Sequence, residues 1–411
     1  MAKRKEAKNA LAVRHRYFCA LGSIAAADCG VSDTARDGNL LLEQPGLVLL
    51  VSVRAEFHQS GGRSRFVDEL LSGFAALRAA AQHSECPSLM KSRNQSLDVL
   101  RGVAVLMVIV HHYAAGVDSS LHMGMVGVDL FFVLSGFLIS GLLFSELKQT
   151  GDVRVRRFFA RRGMKIYPAF YAFLLITLPM TRSLGVGRLF NEAAFLQSYL
   201  PACWSHTWSL SVEEMFYLGL PMIVVFLMRI GRLSAIPFLA LGLIVMCGVL
   251  RSFAPLSAFA QAHMRCDALF AGVALAYYKH FRAELFTKWS HSRWMLPASL
   301  LLLLPWILGD HSGPSPNNLA LTSVVLAFSA LVCWSQSTVI PAPLTAGIGA
   351  YSYSIYLWHM PLALFWGNIM ANSVGGFIAY VALSIIVGLL ASSIIELPIL
   401  RLRDRLIPAR T

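Results

Sequence analysis

The run SLDVLRGVAVLMVIVHHY, Ser96 to Tyr113, is apolar for most of its length yet holds an arginine and a histidine. Charged or titratable groups are costly inside a membrane helix unless they are paired or functional, so they point to a site. Arg101 and His112 lie eleven positions apart, close to three helical turns, which puts both on one face. At ~1.5 Å per residue they stand ~16 Å apart along the axis. They cannot touch from one helix, but they can line one path at two depths.

The rest of the chain fits a membrane reading of this run. Of 411 residues, 56% are hydrophobic and only 14% charged, and the mean hydropathy is +0.60. A soluble domain is nearer ~25% charged. Ten stretches approach the ~20 apolar residues that span a bilayer: 97–115, 126–146, 164–181, 209–228, 235–252, 264–279, 294–309, 318–335, 346–370 and 374–398. The sixth is short and the ninth polar for a span. The runs are continuous rather than alternating, which argues against a β-barrel. The expected fold is all-α, a polytopic membrane protein with about ten transmembrane helices. No internal repeat is evident.

The net charge of +13 is better explained by membrane loops than by nucleic acid, because cytoplasmic loops collect Lys and Arg. With ten spans, four basic regions fall on one side. These are Lys148 to Arg162, Arg229 with Arg232, Lys279 to Arg293, and the tail from Arg401 to Arg410. The opposite side carries few, among them Arg182, Arg188, Arg251 and Arg265. Both termini are expected in the cytoplasm. Seven cysteines show no CxxC pair or metal-ligand spacing. Cys247, Cys266 and Cys333 read as small core residues, and no disulfide framework or metal site is implied.

Residues 1–94 are polar and lack a full span, and the run from Gly46 to Val53 is too short to cross. Tyr17 to Ala27 follows a basic start, as a signal peptide does, but the basic stretch is long and the apolar core weak. The expectation is a poorly ordered N-terminal extension over 1–94, a transmembrane domain over 95–405 and a short cytoplasmic tail over 406–411. Met90 stands just ahead of the first strong span and is a second candidate start.

Arginine, ten residues, then histidine is a spacing that resembles the signature of the acyltransferase 3 family of membrane O-acyltransferases, which includes O-antigen acetylase-like proteins. Further blocks follow in the family's order. They are GVDLFFVLSGFL (Gly127–Leu138), RRGMKIYPAFY (Arg161–Tyr171), TWSLSVEEMFYL (Thr207–Leu218), RCDALFAG (Arg265–Gly272) and YSYSIYLWHMP (Tyr351–Pro361). The resemblance covers about residues 95–405. One departure is Lys165, where the family's basic loop usually has a third arginine; a lysine weakens bidentate anion contact. The resemblance implies a bacterial inner-membrane acyltransferase that takes an acyl group, most often acetyl, from acyl-CoA. It implies no resident cofactor.

The residues can also be read physically. His112 can take a proton from a hydroxyl at neutral pH, as a general base must; a buried structural histidine is the alternative. His111 faces about 100° away. Asp129, just inside the second span, could orient the His112 imidazole or simply complement a helix start. Glu213 and Glu214 open the fourth span and could bind or deprotonate an acceptor, or serve the helix start with Ser209 and Ser211. Ser352, Tyr356 and His359 follow i, i+4, i+7 and share a face, either a cavity wall that contacts substrate or a hydrogen-bonded seam between helices. Arg101, Arg161, Arg162 and Lys165 form a basic entrance suited to the phosphates of coenzyme A. Pairing of Arg101 with Asp98, and anionic-lipid contact by the loop, are the alternatives.

The reading is an integral membrane O-acyltransferase acting on a hydroxyl of a carbohydrate or glycolipid, with His112, Asp129 and Glu213 as catalytic candidates. Direct transfer and an acyl-enzyme both remain open. The rival is a proton-coupled transporter or flippase that uses the same residues as a relay. The broken helices in paired halves that would favour it are not evident.

Overall fold

The computed structural model describes residues 43–44, 47–48, 94–114, 123–254, 258–309, 318–370 and 373–408. The chain divides into two units, Met1–Met90 and Lys91–Thr411. In the first, the described residues form a two-residue antiparallel pair, β1 (Glu43–Gln44) and β2 (Leu47–Val48), with Glu43 opposite Val48. This pair is the one β element among the described residues. Otherwise the expectation of an extension over 1–94 falls outside them.

The regular elements of the second unit are, among its described residues, all helices. Its first half runs α1 (Gln95–Ala114), α2 (Met123–Thr150), α3 (Val155–Thr181), α4 (Val186–Ala193), α5 (Trp208–Arg229), α6 (Ile236–Phe253) and α7 (Ala262–Phe281). The second half runs α8 (Ala283–Ser290), α9 (Met295–Ile307), α10 (Asn318–Trp334), α11 (Pro343–Ala350), α12 (Ser352–Met370), α13 (Val374–Ala391) and α14 (Leu397–Leu406). A helix occupies each of the ten apolar segments. Among the described residues six stretches, fewer than the ten expected, are long and apolar enough to cross a membrane: those built on α1, α2, α3, α5, α6 and α13–α14. The helices α9 and α10 are apolar but shorter.

The most extensive helix packing joins α2 to α7. A methyl group placed at Gly136 would collide with the Leu269 carbonyl, and one at Gly272 with the Val133 carbonyl. These two glycines let the backbones approach as small residues do between membrane helices. Phe132, Phe144, Leu134 and Leu143 fill the core on the α2 side. By contrast, α6 turns Phe238, Leu241, Val249 and Phe253 outward, as a lipid-facing helix does. One end of the bundle gathers the start of α1, the end of α2, the end of α7 and the segment after α10. There the Ser96 hydroxyl donates to the Thr338 carbonyl (2.7 Å), Lys148 to the His280 carbonyl (3.1 Å), and Lys279 to Gln336 Oε1 (3.0 Å).

A π-turn at Ser392–Glu396 links α13 to α14. It sets Glu396 inward, where it accepts from the hydroxyls of Ser354 (2.8 Å) and Ser392 (3.1 Å). Single-turn π insertions are rare and often lie near functional positions.

Candidate active site

His112 sits near the end of α1, half-buried. Its Nδ1 lies 2.9 Å from the Val108 carbonyl, one turn back. The same nitrogen lies 3.2 Å from Nε2 of His359, on α12. His359 is fully buried, and its own Nδ1 is 2.5 Å from the Tyr356 carbonyl. A third imidazole, His206, packs edge-on against His359 with ring centroids 5.1 Å apart. The Tyr356 hydroxyl is bonded to the Ser209 hydroxyl (2.6 Å) and donates to the His206 carbonyl. Residues from α1, α5, α12 and the turn before α5 thus meet in one cluster.

Below this cluster, an inner cavity of about 60 Å³ is lined by Arg101, Arg162, Lys165, Glu213, Glu214, Ser352 and Tyr356, among others. Six of the ten residues singled out as candidates therefore share one space. Glu213 accepts from the hydroxyls of Ser135 (2.8 Å) and Tyr217 (2.7 Å). Glu214 accepts from the Tyr167 hydroxyl at 3.1 Å, and its Oε1 is buried without a hydrogen bond. Arg162 stacks over the Tyr217 ring at 4.0 Å and donates to its hydroxyl. Both glutamates lie beyond the first turn of α5, so helix-start chemistry does not account for them.

Two candidates stand elsewhere. Asp129 is not the imidazole's partner: it lies past the first turn of α2 and is bonded at 2.6 Å to Arg265, both almost fully buried. The reason is the close α2–α7 approach, which brings the guanidinium of RCDALFAG to the carboxylate of GVDLFF. A second buried pair, Arg251 with Asp267 at 2.7 Å, extends the same network to α6. Arg161 lies about 100° around α3 from Arg162. It faces α14 instead of the cavity, with donors on Asp404 (2.9 Å) and the Ile407 carbonyl.

Sequence reasoning did not single out His206, Glu192 or the mouth of a second cavity. Glu192, in the connection between α3 and α5, accepts from Thr207 Oγ1 (2.5 Å) and from the amides of Cys203 (2.9 Å) and Trp204 (3.1 Å). Burial pushes its carboxyl above the usual carboxylate range, against the pull of those bonds. It thereby fixes the turn that presents His206. The outer cavity, about 330 Å³, is lined by Arg101, Asp98, Lys279, His280 and Gln336, among others. Lys279 belonged to the basic loops that argued topology; nothing in its spacing marked it as a cavity wall. Cys247 and Cys266 approach to 3.6 Å between sulfurs as free thiols. Among the described residues no group of three or more His, Cys, Asp or Glu could hold a metal ion.

The helical bundle thus sets the His112–His359 imidazole pair beside a cavity lined by carboxylates and cations. The family model described as Acyltransferase domain matches residues 94–396, and the chain belongs to the acyltransferase 3 family. It is 27% identical over 307 residues to the O-acetyltransferase OatA of Staphylococcus aureus (strain NCTC 8325 / PS 47), covering 66% of this chain and 50% of that one. It is 28% identical over 307 residues, with the same coverage, to SACOL0978 of Staphylococcus aureus (strain COL), whose O-acetyltransferase name is provisional. The chain spans about half the length of the curated relatives it matches.

Proposed function

We propose that this chain is an integral membrane O-acetyltransferase of the bacterial inner membrane. It moves an acetyl group from acetyl-CoA, at the cytoplasmic end, to a hydroxyl of a carbohydrate or glycolipid. One observation carries the reading: Arg101 lines both cavities. The outer one has a cationic mouth at Lys279 and Arg101, suited to the phosphates of coenzyme A. The inner one, about 60 Å³, suits a two-carbon acyl group better than a long chain. Its wall at Tyr356 adjoins His359, whose imidazole adjoins His112. Arg101 and the imidazole pair thereby stand at the two depths that the Arg101–His112 spacing suggests. Arg162 and Lys165 add positive charge to the inner cavity, while Glu213, Glu214 and Tyr356 offer groups to a hydroxylated acceptor.

In this reading the acceptor oxygen attacks the thioester carbonyl while its proton passes to Nε2 of His112. The tetrahedral adduct then collapses, breaking the carbon–sulfur bond. The departing thiolate recovers the proton, giving the acetyl ester and free coenzyme A. The test is transfer of labelled acetyl from acetyl-CoA to membrane glycans by the purified protein in proteoliposomes. His112→Ala should lower transfer by at least ~100-fold, while His111→Ala should keep most of it. A correctly inserted His112→Ala protein with near-wild-type transfer would remove the base.

A further inference from the structure

We propose that His359 is the positioning residue of this site, fixing the tautomer and orientation of His112 as a carboxylate does in hydrolase triads. The inference rests on the reading of His112 as general base. It starts from which atoms can only accept. The Tyr356 carbonyl, 2.5 Å from Nδ1 of His359, carries no proton to give. The proton of a neutral His359 is therefore on Nδ1, and its Nε2 presents a bare lone pair. That lone pair lies 3.2 Å from Nδ1 of His112. The same His112 nitrogen is 2.9 Å from the Val108 carbonyl, another group that only accepts. So Nδ1 of His112 carries its proton, shared between the two acceptors, and Nε2 of His112 is left bare. A bare Nε2 is what a base needs.

The rest of the cluster makes this arrangement rigid. His359 is fully buried. It is boxed by the rings of His206 (centroids 5.1 Å apart), Tyr356 (5.6 Å) and His112 (4.9 Å). The Tyr380 hydroxyl donates to its carbonyl at 3.4 Å. Asp129, the carboxylate that sequence position offers for the role, is held by Arg265. Among the described residues no carboxylate hydrogen-bonds either imidazole. When His112 takes the substrate proton, the neutral His359 lone pair is the acceptor that faces its Nδ1–H, with no anion needed in the membrane interior.

Two substitutions separate this role from packing. The amide of Gln can place its oxygen where Nε2 of His359 stands; the shorter Asn reaches only the Nδ1 position. Both are polar and close in volume. In proteoliposomes, His359→Asn should lower kcat by ~10–100-fold, the usual cost of losing such a partner. KM for acetyl-CoA and acceptor should stay within about twofold, and His359→Gln should recover most of the loss. Combining His359→Asn with His112→Ala should cost no more than His112→Ala alone, since the two act as a unit. Equal losses in the Asn and Gln variants, wild-type kcat in the Asn variant, or a rise in KM that accounts for the loss would each overturn the positioning role. If the Asn variant is lost on purification, the Gln variant decides. A kcat within tenfold of wild type at unchanged KM upholds the proposal, and a kcat as low as that of His112→Ala overturns it. His112→Ala, run in parallel, reports on the base itself: high activity there sinks the underlying reading, whereas loss there with a normal Asn variant sinks only the role of His359.

Discussion

At the scale of single residues, position along a helix told which groups are unusual but not whom they meet. Arg101 and His112 stood out because a titratable group in an apolar run needs a reason to be there. The partner of His112 was not legible, because it arrives from α12, some 250 positions on, through packing that no spacing encodes. Asp129 illustrates the opposite error. Its short separation from His112 in sequence suggested a dyad, yet the carboxylate is spent on Arg265. Breaking such a pair by removing one partner leaves an uncompensated buried charge, which costs ~3–5 kcal/mol, whereas replacing both by apolar side chains is often neutral. Asp129→Asn should therefore lower the melting temperature of the detergent-solubilised protein markedly, and Asp129→Leu combined with Arg265→Met should restore much of it. Activity should follow the folded fraction in both. A stable Asp129→Asn protein with a selective loss of kcat would return Asp129 to the chemistry.

Elements were far more legible than contacts. Each of the ten apolar segments holds a helix, but among the described residues six stretches, not ten, are long and apolar enough to cross a membrane. The ends were less so. The third segment was read from 164, but α3 starts at Val155. The basic stretch RRFFARR continues the helix beyond the apolar part, and hydropathy is blind to it. Short amphipathic helices such as α4 and α8 fall between the ten apolar segments, where hydropathy is equally blind. The π-turn that aims Glu396 inward has no sequence mark at all. The α2–α7 contact is where an element-scale claim can be broken. Gly272 meets the Val133 carbonyl and Gly136 the Leu269 carbonyl, so no side chain fits without parting the helices. Gly272→Leu should lose folded, monodisperse protein and with it both buried ion pairs' geometry. Gly219→Leu, at a glycine with open space around it, should be tolerated. Size-exclusion profiles of the two variants side by side decide it, and a well-folded Gly272→Leu protein would refute the close approach.

At the scale of the whole molecule, the helical unit places different chemistry at the two ends of α1. The outer cavity opens where Asn94, Asp98, Arg101, Lys279, His280 and Gln336 come together. Lys148 is bonded to the same His280 backbone, and Arg161 is bonded to the C-terminal helix α14 by Asp404. Of the basic segments that argue the orientation, the one beginning at Lys279 lines this cavity, so the donor entrance we propose lies on the side that the positive-inside rule assigns to the cytoplasm. The imidazole cluster lies farther along α1, near its last turn. A donor that enters from the basic end and an acceptor that meets His112 from beyond need never share a compartment. Sealed membrane vesicles test this directly. Inside-out vesicles given labelled acetyl-CoA externally should acetylate membrane glycans, and right-side-out vesicles should do so only after permeabilisation. Accessibility labelling of a cysteine placed in the connection between α7 and α8 should report the same side. Transfer by intact right-side-out vesicles, with that cysteine labelled from outside, would reverse the orientation and make the opposite face the donor entrance.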